Sequence, residues 1–153
     1  MKHLLVKDWM ETEVISASPK MAMLKAHKMM RENKIRRLPV LKPDDTLIGI
    51  VTRSDIRRAE PSEATTLNVW EMNYLLAELM LRDIMTKNPI TIHADDTIKT
   101  AAIRLHDNKI GALPVVDDKN RLVGIITESD IFRVLINWFN EETGETGGEG
   151  ETD

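Results

Sequence analysis

Apolar residues recur along this chain at helical spacing in two places. Ile98, Ala101, Ala102 and Leu105 stand at i, i+3, i+4 and i+7, one face of a helix. Met23, Ala26, His27 and Met30 repeat that spacing 75 residues earlier. A short β-rich run precedes each helix, "VIS" at 14–16 and "ITI" at 90–92. After each helix, "LPVL" (38–41) and "LPVV" (113–116) read as buried strands. The turns "KPDDT" and "DDKNR" follow, then a second strand, then a helix opening at Thr-x-x-Asp. The predicted order is β-α-β-β-α, twice. Ser18-Pro19 predicts a helix N-cap with proline at the first helical position. Asn33 and Asn108 predict left-handed helix stops.

The two stretches are copies. A shift of 75 residues lays 6–59 on 81–134 without a gap. "KIRRLPVL" falls on "KIGALPVV", "LIGIVTRSDIRR" on "LVGIITESDIFR", and Asp8 and Met10 on Asp83 and Met85. Two copies are too few for a solenoid, so the expected fold is an α/β (α+β) pair packed about a pseudo-twofold axis, helices outside. The expected organisation is copy one at 1–59, a linker at 60–80, copy two at 81–139 and a disordered acidic tail at 140–153. In the linker, Pro61 marks a loop, and Leu67, Trp70, Leu75 and Leu79 an amphipathic helix. Trp70 and Tyr74 read as packing residues rather than a base-stacking platform, because no basic residue lies among them. Trp138 and Phe139 read as packing or dimer contacts.

Charge changes the picture once the tail is set aside. The net charge is −4, but residues 140–153 carry six acids and no base, leaving 1–139 at +2. With four glycines and almost no apolar content, that tail cannot bury enough surface to fold. A body at +2 lacks the clustered cations of a nucleic-acid footprint and suits a small anionic ligand. Cysteine is absent, which excludes disulfides, thiol catalysis and Cys-ligated metals. No apolar run approaches the ~20 residues of a membrane span, and "MKHLLVKDWM" is too short and charged for a secretory signal. A cytoplasmic protein is expected.

The repeated junction carries the candidate chemistry. Thr52-Arg53-Ser54-Asp55 and Thr127-Glu128-Ser129-Asp130 each match a capping box. A duplicated fold duplicates its caps, so recurrence alone does not make them functional. Their position does more, because a strand delivers a hydroxyl and a carboxylate beside free N–H groups that favour an anion. An ionised Asp suits a ribose diol. Gly49 and Gly124 would permit close backbone approach. Together these suit a nucleoside phosphate.

Gap-free copies carrying "K-I-x-x-L-P-V" and "G-I-h-T-x-S-D" (h apolar) resemble a tandem of CBS motifs, the pair called a Bateman module. The linker "NVWEMNYLL" resembles, more narrowly, the bacterial acetoin-utilisation B-type group. The resemblance spans residues 1–139. It implies two inter-motif clefts for adenosine-containing ligands, AMP, ADP, ATP or S-adenosylmethionine, acting as regulatory ligands with no cofactor required. One cleft would combine Thr127, Ser129 and Asp130 with Ile15, Ser16, Ile35, Arg36 and Arg37. The other would combine Thr52, Ser54 and Asp55 with Ile90, Thr91, Ile110, Gly111 and Ala112, and Arg53 could serve it. The implied assembly is a homodimer of four motifs signalling to an unknown regulated protein. A stand-alone sensor is therefore the leading expectation, and a ligand-independent dimerisation scaffold the alternative.

The copies differ at the clefts. Gly111-Ala112 replaces Arg36-Arg37, which predicts that the Arg36/Arg37 cleft prefers the more phosphorylated ligand. Alternatively those arginines are solvated or pair with Asp44, Asp45 or Glu32. Arg58 and Arg133 could reach phosphate or form surface ion pairs. No enzyme is expected. His3, His27, His93 and His106 lack metal-ligand spacing, no G-x-S-x-G, P-loop or G-x-G-x-x-G occurs, and the Asp pairs lie in turns or helix starts.

Overall fold

Residues 4–60 and 66–144 are described by the computed structural model. Pro61 of the expected linker loop and residues 145–153 of the expected tail lie outside them. The two copies build their central hairpins alike. In the first, β1 (Arg37–Leu41) pairs antiparallel with β2 (Leu47–Thr52), Arg37 opposite Thr52 and Val40 opposite Gly49. In the second, β5 (Ala112–Val116) pairs with β6 (Leu122–Thr127), Ala112 opposite Thr127 and Val115 opposite Gly124. Each turn uses a positive φ, at Asp45 (69°) and Asn120 (59°), residue types that tolerate it. Asp44 accepts from the Thr46 side chain and N–H, and Asp117 from the Arg121 N–H and guanidinium and the Lys119 N–H, which holds both carboxyls below the usual carboxylate range.

The hairpin ends meet across the pseudo-twofold axis. Thr46 bridges Arg121, its own counterpart, while Leu47 N–H donates to Asn120 O and Leu122 N–H to Asp45 O, each at 3.0 Å. The helices pack outside: α1 (Met23–Glu32) and α2 (Arg53–Ala59) in the first half, α5 (Ile98–Asn108) and α6 (Glu128–Thr143) in the second. Met23, Ala26 and Met30 are buried on α1 and Ile98, Ala101 and Leu105 on α5, the faces that the apolar spacing predicts.

The leading segments of the two copies are exchanged. The residues around β3 (Thr86–Lys87) open the second copy but add β3 to the first sheet, Thr86 opposite Ile50. Glu11, in the leading segment of the first copy, exchanges two 2.9 Å hydrogen bonds with Ile125 of the second sheet. The helical turns follow the same rule. Leu81, on the short α4 (Leu81–Ile84), is wholly buried in the first core with Met23, Leu38 and Val51. Val6, on a 3-10 turn at Val6–Asp8, is wholly buried in the second with Ile98, Leu113 and Ile126. Met23 N–H reaches Leu79 O at 2.9 Å and Ile98 N–H reaches Leu4 O at 2.8 Å, the same bond in both halves. Neither core closes without the other half's leading segment.

Four local expectations are corrected. The strands expected at 14–16 and 90–92 are displaced and short. The second half pairs only β4 (Ile92–His93), parallel to β5, and the first half has a single bridge, Ala17 to Val40, beyond which Pro19 has no N–H to donate. Ser18-Pro19 is a turn, with Ser18 Oγ accepting Lys20 N–H at 3.2 Å, and α1 starts later, at Met23. The left-handed helix stops fall one residue on, at Lys34 and Lys109 (φ 53° each). Asn33 and Asn108 instead turn their side-chain amides back to Met29 O and Arg104 O. Finally, α3 (Val69–Glu78) forms in the linker, but Trp70 and Tyr74 do not pack. They stand 84% and 68% exposed, because the helix leans on the first core through Leu76 while those rings face away.

The last helix reaches Thr143, so residues 140–143, expected in the tail, are helical. Trp138 is half-buried beside Phe139, ring centroids 5.1 Å apart. Among the described residues no helix is long and apolar enough to cross a membrane.

Candidate functional site

Where β2 runs into α2, Thr52 is the last extended residue and its own cap. Thr52 N–H donates to Asp55 Oδ2 at 2.8 Å and Asp55 N–H donates to Thr52 Oγ1 at 3.1 Å. Where β6 meets α6, Thr127 N–H donates to Asp130 Oδ2 at 2.8 Å and the Thr127 hydroxyl donates to the same oxygen at 3.2 Å. The second oxygen of each carboxylate meets an arginine one turn on, Arg58 for Asp55 and Arg133 for Asp130. Of the two readings open for Arg58 and Arg133, ion pairing is the one seen. Arg133 also donates to Trp9 O at 3.1 Å and lies over the Trp9 ring. Asp55 is only 7% exposed. Both aspartates hold their junctions rigid, and each retains lone pairs, since an ionised carboxylate offers about four.

Gly49 and Gly124 serve the exchanged strands, not an open approach. A Cβ at Gly49 would stand 2.5 Å from Met85 Sδ and 3.0 Å from Thr86 O. One at Gly124 would stand 2.7 Å from Met10 Sδ and 2.9 Å from Glu11 O. The crossing segment leaves room only for glycine.

A cavity of about 350 Å³ opens between the halves. Ile50 and Thr52 of the first copy form one wall, and Ile90, Ile110, Gly111 and Ala112 of the second form the other. Five residues that sequence reasoning grouped around Thr52 therefore meet there. Of the rest of that set, Thr91 uses its carbonyl to accept from Arg104 at 2.8 Å, and Asp55 lies behind Thr52. Ile50, Thr86, Asn88, Pro89, Lys109 and Pro114 also line the cavity and were missed. Lys109 could have been found, because it belongs to the repeated "K-I-x-x-L-P-V" and its left-handed φ turns the chain into the wall.

Arg37 is not where the family positions put it. It was expected beside Thr127, yet its strand partner is Thr52, and its guanidinium lies across Gly111. A Cβ on Gly111 would fall 2.1 Å from Arg37 Nη2. A second cavity, about 440 Å³, adjoins the first through Thr52 and Arg37 and is lined further by Arg36, Arg53, Ser54 and Arg57. The arginines expected to charge the Thr127 cleft thus line the cavities beside Thr52. Arg57 was missed, although its spacing of four from Arg53 placed the two on one helix face. Of the residues grouped with Thr127, Ile15 and Ile35 lie against the first core, Ser16 is half-buried and Ser129 exposed.

The family described as "CBS domain" matches residues 6–62 and 81–137. A homoserine O-acetyltransferase of Methanosphaerula palustris is 34% identical over 133 residues, 87% of this chain but 24% of that protein. The chain spans about a quarter of the length of the curated relatives of this kind. Among solved structures, the CBS domain pair of protein MJ0100 in complex with 5′-methylthioadenosine and S-adenosyl-L-methionine is 32% identical. It superposes with a TM-score of 0.72, covering 88% of this chain and 97% of that one. A putative acetoin utilization protein of Vibrio cholerae is 28% identical, TM-score 0.75, covering 94% and 98%. CBSX2 in complex with AMP is 25% identical, TM-score 0.76, covering 90% and 99%.

Proposed function

The chain belongs to the CBS domain family, and from that premise we propose that it is a regulatory module binding adenosine-containing ligands between its two copies. The observation that carries this reading is the cavity whose walls come from both halves. A ligand there cross-links the copies, and a ligand with unequal affinity for two arrangements of them shifts their balance. Ile50, Ile90 and Ile110 frame the base. Thr52 meets the ribose or phosphate, and Asp55, behind it, positions Thr52 through the hydrogen bonds of the cap. By pseudo-symmetry Thr127, Ser129 and Asp130 form the second cleft with Ile15, Ser16 and Ile35.

The working unit is a homodimer of four motifs that passes the change to a regulated protein. A row of exposed apolar residues on α6, Phe132, Leu135, Ile136 and Phe139, with Ile103 on α5, supports that assembly. One observation favours a ligand-independent scaffold instead, namely that both aspartates are already engaged as caps.

A thermal-shift panel with AMP, ADP, ATP, S-adenosylmethionine and 5′-methylthioadenosine separates the two. A ligand near 100 times its Kd raises Tm by roughly 5–10 °C for a chain of this size. The Asp55→Ala protein stays folded and loses the response. No shift with any of the five overturns the sensor in favour of the scaffold.

A further inference from the structure

Four arginines, Arg36, Arg37, Arg53 and Arg57, line one cavity of about 440 Å³, sharing it among the described residues with Thr52 and Ser54. Among the described residues none of the four has a carboxylate within ion-pair distance. Arg58, Arg104, Arg121 and Arg133, by contrast, each pair with an aspartate. Arg57 donates only to Ser54 Oγ, at 3.4 Å. Gathering four unneutralised guanidinium groups raises the energy of the folded chain, so an anion that enters relieves it.

The fold does not require them. The counterpart positions in the second copy are Gly111, Ala112, Glu128 and Phe132, on a backbone of the same register. Even the hydrogen bond that fixes the cavity wall recurs, Arg53 N–H to Arg36 O at 2.9 Å and Glu128 N–H to Gly111 O at 3.1 Å. What differs between the copies here is the set of side chains, and with it the charge, not the backbone.

Resting on the ligand reading above, we propose that the Thr52 side is a nucleoside polyphosphate site. The nucleoside occupies the apolar cavity, the chain of phosphates passes Arg37, and its outer phosphates lie among Arg36, Arg53 and Arg57. Guanidinium groups match phosphate oxygens in pairs, and each added phosphate brings further charge to them. The site therefore ranks ATP above ADP above AMP, and disfavours S-adenosylmethionine, whose sulfonium is a cation.

The test is calorimetric titration of the whole chain with AMP, ADP, ATP and inorganic tripolyphosphate, for wild type and for the double variant Arg53→Ala/Arg57→Ala. Both side chains are exposed, so the variant folds. ATP affinity falls about ten- to a hundredfold in the variant, while AMP changes by less than about threefold. AMP and ATP binding equally, with the variant changing neither, overturns the polyphosphate site and leaves the nucleotide sensor standing. Tripolyphosphate binding that the variant abolishes, with no nucleotide bound, supports the arginine site and overturns the nucleotide reading. No binding by any of the four overturns both.

Discussion

The two halves agree wherever the fold is at stake and part company where it is not. Their cores correspond almost position for position, Leu81 with Val6, Met23 with Ile98, Leu38 with Leu113 and Val51 with Ile126. Their left-handed residues coincide, Lys34 with Lys109 and Asp45 with Asn120. Their Thr-x-x-Asp junctions coincide too, each held by its cap and an arginine. Recurrence therefore marks what the backbone needs, and the junction residues fall under that rule before any ligand is considered. Difference marks what the backbone leaves free. The cavity beside Thr52 is ringed by arginine, and the same positions in the other half hold glycine, alanine, glutamate and phenylalanine.

The strongest way to break this equivalence is to cut the exchange. Leu81 is wholly buried in the first core although it opens the second copy. Replacing it with alanine costs about 2–5 kcal/mol. Val6→Ala, the counterpart in the second core, costs less because fewer carbons are removed. Because each half closes on the other's leading segment, urea unfolding of either variant stays a single transition, followed by circular dichroism and by tryptophan fluorescence. Two separated transitions would show that the exchanged segments do not couple the halves.

Glycine separates backbone need from cleft design at a smaller scale. Gly124→Ala drives a methyl group against Glu11 O, a backbone atom that moves only with the exchanged strand, and costs about 1–3 kcal/mol. Gly111→Ala meets only the end of the Arg37 side chain, which swings away. Its urea midpoint stays close to wild type while phosphate-ligand affinity drops, since Arg37 leaves the cavity wall. If the two variants lose equal stability, Gly111 is a fold residue after all.

Much of this was legible in the sequence, because a gap-free repeat with helical and strand spacing fixes the order of elements and both hairpins. The buried faces of α1 and α5 follow from the spacing alone. The exchange of segments was not legible, since periodicity says that Val6 and Leu81 occupy equivalent positions but not which core each enters. The cleft was half legible. Thr52, Ile90, Ile110, Gly111 and Ala112 line one cavity, and Arg37 lies there with Thr52 rather than beside Thr127. A side chain on a strand follows its hairpin partner, and the motif carries no information about where a long guanidinium will lie. Trp70 and Tyr74 misled for a related reason, because apolar spacing marks a face without saying what covers it.

The smallest effect concerns the start of the first helix of each half, where the sequence misplaces one of the caps. Thr97 accepts Thr100 N–H at 3.1 Å and caps α5. Its counterpart is Ala22, at φ −63° and ψ 138°, close to the −79° and 155° of Thr97 but with no side-chain acceptor. The first half thus lacks a cap that the second half has, on a backbone already shaped for one. Ala22→Thr stabilises by about 0.5–1 kcal/mol, and Thr97→Ala destabilises by about 1 kcal/mol. Ser18→Ala, which would cost as much if Ser18 were the N-cap, shifts the urea midpoint by less than either, because Ser18 Oγ holds only a turn N–H at 3.2 Å. A Ser18→Ala loss equal to that of Thr97→Ala would move the start of α1 back to Ser18-Pro19. The helix starts would then differ between the halves in position, and not merely in the residue that caps them.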